Sequence, residues 1–371
     1  MKLQVLQENL TKALTTCSRF ASSRVQLPVL ANVLLKTQKN KLLVTATNLE
    51  ISISISVGAK VSKEGEITVP ARVITDLVSN LGTGQISLQA EKEHLRIFSD
   101  NFESSISGMN SSDFPSVPQS IPAKSFSLPG DDFSSSLEKV LYAVSNDETR
   151  PVLTGVLTIL EKGEMTLVAT DGFRLSRKKL KLKSVKDEGQ LIIPKNALSE
   201  ISRLAGSDEA LSFSYKKADN QIIVGVGDSV LASRVIEGEF PDFEKIIPKD
   251  TKIKVDLDKE EVLRAVKLAS VIARDAANVV KLEISEGEVK LEAESSATGT
   301  QKTKIDAKVK GLSGKKNLLI AFNYRFLEEF LGSVEGESVQ MEFSESNSPA
   351  LLLDHKDDTF LHIIMPVRLQ S

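Results

Sequence analysis

The feature that most constrains this chain is a short pattern that occurs three times. Residues Ala169–Leu175 read as the end of a strand, an Asp171-Gly172 turn and the start of a returning strand. The same Ala-Thr pair, a polar turn residue and a return occur at Leu43–Ile51, and a more divergent copy lies at Val289–Ser296. A recurrence roughly every 120 residues means one structural unit used three times, with the same core and edge problems to solve in each copy.

The element order repeats with the pattern. In the first unit, residues 1–117, Met1–Leu6 predicts a strand. Leu10, Ala13, Leu14 and Cys17 then predict a helix, with Lys12 and Arg19 off its apolar stripe. Leu30–Leu35 and Lys41–Thr47 predict a hairpin. In Glu50–Val57, Ile51, Ile53, Ile55 and Val57 alternate with Ser52, Ser54 and Ser56, the pattern of a strand with one buried face. Glu66–Pro70 ends on a proline that opens a helix over Ala71–Leu81, with Val73, Ile74, Leu77, Val78 and Leu81 inward. The second unit, residues 118–248, repeats this with strand Lys124–Leu128 and helix Asp131–Val144, whose face is Phe133, Leu137, Val140 and Leu141. The hairpin Val152–Leu160 with Glu164–Thr170 follows, then Leu191–Pro194 ahead of helix Lys195–Leu204. The third, residues 249–371, has helices Lys259–Ser270 and Asn323–Leu331 and ends on Met365–Leu369. Each unit is thus α+β, with two helices and about eight strands. Such units need neighbours to cover their strand edges, and closure into a ring covers every edge.

Composition narrows the function. Hydrophobic residues at 41% and charged residues at 26% are ordinary for a soluble globular protein. No run is long enough for a signal peptide or a membrane span, and the single Cys17 reads as a buried structural thiol, so a cytoplasmic protein is expected. The formal net charge of −3 excludes a protein held to nucleic acid by bulk positive charge. Any such role needs charge sorted onto one surface, or a hold that is geometric.

Catalytic motifs are missing. His94, His355 and His362 all fall in predicted strands, too scattered for a metal cluster, and Gly225–Gly227 is a hairpin rather than a dinucleotide loop. No phosphate-binding loop, nucleophile elbow or Cys-x-x-Cys occurs, so no cofactor, metal or catalytic residue is expected. The basic residues are more suggestive. Lys12, Arg19, Arg72, Lys139, Lys195, Arg203, Arg264, Lys267 and Arg325 lie on predicted helices, and Arg24 and Arg150 follow a first helix in successive units. Each alone reads as solvated surface; their recurrence on matching elements suggests one shared, weakly positive face suited to sequence-blind phosphate contacts.

Arg24 with Leu27–Leu30, Val69–Arg72, Ala169–Leu175, Gly238–Asp242, Ala321–Asn323 and Met365–Leu369 stand in this order along the chain. At these spacings the sequence resembles the bacterial sliding clamps, the beta subunits of DNA polymerase III, over essentially its whole length. The resemblance implies a non-catalytic replication processivity factor. It implies a head-to-tail homodimer, three clamp domains per chain in a ring of pseudo-six-fold symmetry, encircling duplex DNA whatever its sequence, with the basic residues above facing the DNA. The implied partners are the replicative DNA polymerase, a clamp loader and other proteins carrying short clamp-binding motifs. It also implies a peptide groove. One wall is Leu153, Thr170, Gly172, Phe173, Arg174, Leu175, Pro241, Lys245 and Ile246; the other is Asn323, Phe326, Ile363, Ile364, Met365, Pro366, Val367, Arg368 and Leu369. Without the resemblance these residues read equally as packing between units. For the subunit contact it implies Ser104 and Ile106 against Val271 and Ile272 of a second copy. Phe173 stands where a histidine is common in the family, Lys245 where an arginine is common, Ala277 where a larger aromatic can sit, and Ser104 where a larger apolar residue is common. Gln370 and Ser371 extend past the usual terminal leucine. Two rivals stay open: a peptide-binding adaptor that never encircles DNA, and an envelope enzyme built on repeated β-rich domains.

Overall fold

The computed structural model describes residues 1–22, 27–161, 163–182, 188–205, 209–312 and 317–368. It contains six α-helices among these: α1 (Gln7–Ser18), α2 (Ala71–Ser79), α3 (Gly130–Glu138), α4 (Lys195–Leu204), α5 (Lys259–Ala273) and α6 (Tyr324–Ser333). Two helices and eight, eight and nine strands fall in successive thirds of the chain, the repeat expected. Close contacts gather the chain into two compact units, residues 1–131 with 200–235, and 132–199 with 236–371.

In the first unit one antiparallel path runs Phe102–Ser107, His94–Ser99, Gln85–Glu91, Lys2–Leu6, Ile51–Lys63, Ser229–Arg234, Gln221–Val226, Ala210–Lys216, Phe126–Pro129. The long strand Ile51–Lys63 makes this possible. Its start pairs with Ser229–Ser233 and with the hairpin strand Lys41–Thr47, and its end with Lys2–Leu6. Helix α1 buries Leu10, Ala13, Leu14 and Cys17 as the spacing predicts. The Cys17 thiol donates to the Val44 carbonyl at 3.4 Å, and burial pushes its pKa up, so it is structural. Two expectations fail here. Val73 on α2 is exposed, because the inward stripe is Ala71, Ile74 and Val78 alone. The serine face of Ile51–Val57 is not solvated: Ser52 and Ser54 are buried, and the Ser54 and Thr45 hydroxyls hydrogen-bond at 3.1 Å. Side chains this small are covered by their larger neighbours on the same face, and the hydroxyl pair satisfies their polar groups there.

In the second unit a nine-stranded sheet runs Gly189–Pro194, Gly155–Glu161, Glu164–Thr170, Arg174–Lys181, Asp357–Ile364, Ala350–Asp354, Ser338–Phe343, Ile253–Asp258, Lys308–Lys310. A four-stranded sheet, Gly299–Asp306, Glu288–Ser295, Val279–Ser285 and Leu318–Asn323, packs with α5 and α6 around Phe322, Phe330, Phe343 and Phe360. Asp258 caps α5 by accepting from the Glu261 amide at 2.9 Å, and Asn323 caps α6 by accepting from the Arg325 amide at 3.0 Å. The expected helix to Val144 is shorter: α3 stops at Glu138 and a 3₁₀ turn follows at Leu141–Ala143. The Ser134–Ser136 run weakens it, since the Ser135 and Ser136 hydroxyls donate back to the Asp132 carbonyl.

Lys139 lies just beyond α3 and, contrary to expectation, is no DNA-facing residue. It is buried, with its ammonium 2.6 Å from Asp357 and 2.9 Å from Glu335. Lys178 reaches Asp357 at 2.6 Å as well. Burial opposes ionisation of Asp357, but hydrogen bonds from Lys139, Lys178 and Thr359 outweigh it and hold the carboxyl well below the usual range. An Asp357→Asn variant should lose about 2 kcal/mol near neutral pH, less than a fully stripped buried charge because Glu335 still reaches Lys139. A carboxylate with a depressed folded-state pKa stabilises fully above its unfolded value of about 4 and loses that contribution progressively as pH falls from there through the folded value. The gap between variant and wild type in urea unfolding should therefore narrow below about pH 4.

Candidate functional site

The Thr170–Arg174 turn is locked by its own side chains. The Asp171 carboxylate accepts from the amides of Phe173 at 2.9 Å and Arg174 at 3.1 Å, and the Thr170 hydroxyl donates to the Arg174 carbonyl at 2.6 Å. Gly172 takes φ +94°, which a glycine adopts freely. The first-repeat copy is built alike. Asn48 accepts from the Glu50 and Ile51 amides, Thr47 donates to the Ile51 carbonyl, and Leu49 holds φ +78° in the glycine position.

What differs is Arg174. Its side chain is buried and reaches three groups: Asp171 at 3.0 Å, Glu329 of α6, and the Tyr142 carbonyl. Its guanidinium lies 4.5 Å from the Phe326 ring centre and 5.4 Å from that of Tyr142. Behind it, His362 is buried against Phe330 and takes a hydrogen bond of 2.7 Å with the Ser176 hydroxyl. Burial, then the Arg174 charge, holds the imidazole well below its ordinary pKa, so it stays neutral. Burial also pushes the Tyr142 phenol up to about 12. Arg174 is therefore a tie between the turn, the 3₁₀ segment and α6 rather than a group free to meet a ligand.

The structure separates the predicted groove residues into two kinds. Leu153, Thr170, Leu175, Ile363 and Ile364 are buried, and strand pairing sets Leu175 opposite Ile363; these pack the seam, as their apolar character equally allowed. Phe173 is 61% exposed, and Ile246, Met365 and Val367 also keep substantial exposed surface. The Met365 amide donates to the Phe173 carbonyl and the Val367 amide to the Ala321 carbonyl, both at 2.8 Å, which carries the chain end across the turn. Gly172, Pro241, Lys245 and Arg368 are exposed, Asn323, Phe326 and Pro366 partly so, and Lys245 pairs with Asp242 at 2.8 Å. Leu369, Gln370 and Ser371 lie outside the described residues.

The basic residues divide as well. Lys12, Arg72, Arg264, Lys267 and Arg325 are exposed on α1, α2, α5 and α6; of these, Arg72 alone has an ion-pair partner among the described residues, Asp76 at 3.7 Å. Arg19 and Arg203 both pair with Glu200, and Lys195 is partly buried. Arg24 lies outside the described residues. Arg150 is exposed as well, and its guanidinium also borders the turn: a Gly172 side chain would come within 3.1 Å of it, and Asp147 holds it at 2.9 Å. Ile106, expected at a subunit contact, is buried within its own chain, whereas Val271 is 63% exposed at the end of α5 and Ser104 and Ile272 are partly exposed. His355 lies in a turn rather than a strand and pairs with Asp256 at 3.0 Å. Among the described residues no cluster could hold a metal ion, and no helix is long and apolar enough to cross a membrane.

The chain matches the DNA polymerase III beta subunit along its length: the N-terminal domain over residues 1–118, the central domain over 127–242 and the C-terminal domain over 244–368. It belongs to this family. It is thus a sliding clamp of DNA replication built of three clamp domains. The beta sliding clamps of Staphylococcus aureus and Staphylococcus epidermidis are each 29% identical to it, over 99% of both chains. The crystal structure of the DNA polymerase sliding clamp from Bacillus subtilis matches the whole fold at TM-score 0.95 and 25% identity. That of the Pseudomonas aeruginosa clamp bound to griselimycin matches it at 0.92 and 27%, each chain covered completely.

Sequence reasoning missed Tyr142 and Glu329, which hold the clamp's Arg174, and Ser176, which hydrogen-bonds His362 behind it; His362 itself lies in a strand, as expected. Glu329 was within reach, since it follows Phe326 by one helical turn and so shares its face; the others come from strands and a turn that only the fold brings together. Arg174→Ala should cost about 2 kcal/mol, because it leaves the Asp171 carboxylate and the Tyr142 carbonyl without this partner, and Arg174→Lys should recover little of it because one ammonium cannot reach three acceptors. Urea unfolding of the two variants checks this.

Proposed function

We propose that two copies close head to tail into a ring that encircles duplex DNA and tethers the replicative polymerase, without catalysing a reaction. The observation that carries this is the seam. The strand after the hairpin turn of one repeat, Ile51–Ile55 or Arg174–Lys178, pairs with the last strand of the next, Ser229–Ser233 or Phe360–Ile364. That series leaves two strands without their seam partner among the described residues: Gly299–Asp306, after the third turn, and Phe102–Ser107, the last of the first repeat. Pairing them between two copies completes six seams of one kind and closes the ring, with Val271 and Ile272 of α5 beside the junction. A topological hold accommodates the net charge of −3, since the exposed Lys12, Arg72, Arg264, Lys267 and Arg325 need supply only weak phosphate contacts. The clamp domains are taken to span 1–117, 118–248 and 249–371, a division that the matched ranges support, and the protein is taken to act in the cytoplasm.

Phe173, Ile246, Met365 and Val367, with Arg150 and Gly172 at one end, are read as the docking slot for short hydrophobic motifs of the polymerase, the clamp loader and other partners. Retention on nicked circular DNA, with release when the circle is linearised, tests the ring; equal release from both forms overturns it in favour of an adaptor. Phe173→Ala combined with loss of residues 365–371 should abolish stimulation of primer extension while retention on nicked circles persists. Unchanged stimulation rules out the slot. Arg174 is a poor probe for this purpose, because its loss disturbs the fold.

A further inference from the structure

We propose that the closing seam has a single register, read by two polar pairs: Glu103 of one copy against Lys302 of the other, and Ser104 against Gln301. This rests on the head-to-tail reading above and goes beyond it by naming the residues that recognise the second copy.

The register follows from the two seams within the chain. Ile53 stands between the hairpin residue Ala46 and Leu231, and Ser176 between Ala169 and His362. Gln301 faces Ala293 in the same way. On the other strand, Leu231 closes the cross-strand row Phe126, Phe213, Val224, Leu231, and His362 closes the row Val255, Met341, Leu352, His362. Phe126 and Val255 each lie four residues before the first helix of their repeat. The matching residue before α1 is Leu3, whose row is Leu3, Leu88, Ile97, Ser104. Ser104 therefore falls opposite Gln301, and in an antiparallel pair Glu103 falls opposite Lys302.

The chemistry at these positions is unfinished in the single chain. Oε1 of Gln301 is buried and has no hydrogen-bond partner among the described residues, while its amide donates to Thr303. The Ser104 hydroxyl, on the inward face of its strand, is the donor that Oε1 lacks. On the outward face Lys281, Glu292 and Lys302 form a row of alternating charge, with Lys302 3.2 Å from Glu292. The row ends at the open edge on a lysine. Glu103, exposed and in no ion pair among the described residues, continues it. A slip of one residue would turn Glu103 inward. A slip of two in either direction sets Gln301 against Phe102 or Ile106, neither of which can satisfy Oε1.

A charge swap tests this. Alone, Glu103→Lys meets Lys302 and Lys302→Glu meets Glu103, so each variant should dimerise about tenfold more weakly than wild type, because every dimer carries the repulsion twice. Mixed together, they match at both seams, Lys against Glu in each, and should form a heterodimer as tight as the wild-type dimer. Ser104→Ala should weaken the dimer about fivefold by leaving Oε1 unpaired. Sedimentation across a dilution series, with circular dichroism to confirm folding, reads all five samples, wild type included. Folded single variants that dimerise like wild type, or a mixture that stays monomeric, overturn the pairing while leaving the ring standing. A wild-type chain that is monomeric at every concentration overturns the head-to-tail reading and the pairing with it.

Discussion

The structure depends on one constraint: the edge of an antiparallel sheet cannot be left open in a β-rich repeat. Each edge strand carries a row of unpaired amides and carbonyls, and any apolar side chain on it faces water. The chain answers by joining the strand after one hairpin turn to the last strand of the next repeat, at Ile51–Ile55 and again at Arg174–Lys178. This joint turns separate domains into continuous sheets, and it explains why compact units gathered by contact do not follow the repeat boundaries. The second repeat contributes its last strands to one unit and its hairpin to the other.

The same joint fixes where function can sit. A hairpin turn next to a seam lies at the end of two paired strands, so whatever it exposes is held against a rigid backing. In the first repeat the turn shows Leu49 and stops there. In the second, glycine at the matching position leaves room for the Arg150 guanidinium, Phe173 stands out, and the chain end crosses by the Met365 amide. Arg174 then ties this turn to Glu329 and the Tyr142 carbonyl, which lowers the freedom of the exposed residues beside it. One scaffold, used more than once, carries a specialised surface where the second turn's residues and the last residues of the chain meet.

Much of this was legible in the residues. The Ala-Thr turn, the proline-led helices α2 and α4 and the stripe of α1 have local causes, so local patterns reveal them. What misled were properties that pairing decides. The serines of Ile51–Val57 look solvent-facing, yet Ser52 and Ser54 are buried and Ser54 meets Thr45, and Lys139 looks like an exposed helix residue until α3 stops early and Asp357 claims it. Leu153, Leu175 and Ile363 belong to the neighbourhood of the proposed slot but not to its surface, a difference that apolar character cannot express. Exposure is a tertiary property, and it sorted the candidates where residue type did not.

The seam proposed between copies differs from the two inside the chain in a way that bears on how such a ring would open. Each seam inside the chain has an apolar pair at its centre, Ile53 beside Leu231 and Leu175 beside Ile363, with polar residues such as Ser54, Ser176 and Lys178 around it. The strands proposed to meet between copies carry Glu103, Ser104 and Ser105 on one side and Thr300, Gln301 and Lys302 on the other. Separating an apolar seam would expose surface at about 25 cal/mol per Å² and invite unintended pairing. Separating a polar one returns hydroxyl, amide and charged groups to water, where each finds new partners and the net loss is small. In the proposed ring, a joint of the second kind is the easier one to part. In the proposed pairing the serine at 104 serves closure by meeting an amide, and the Glu103–Lys302 pair makes the strength of the junction sensitive to salt.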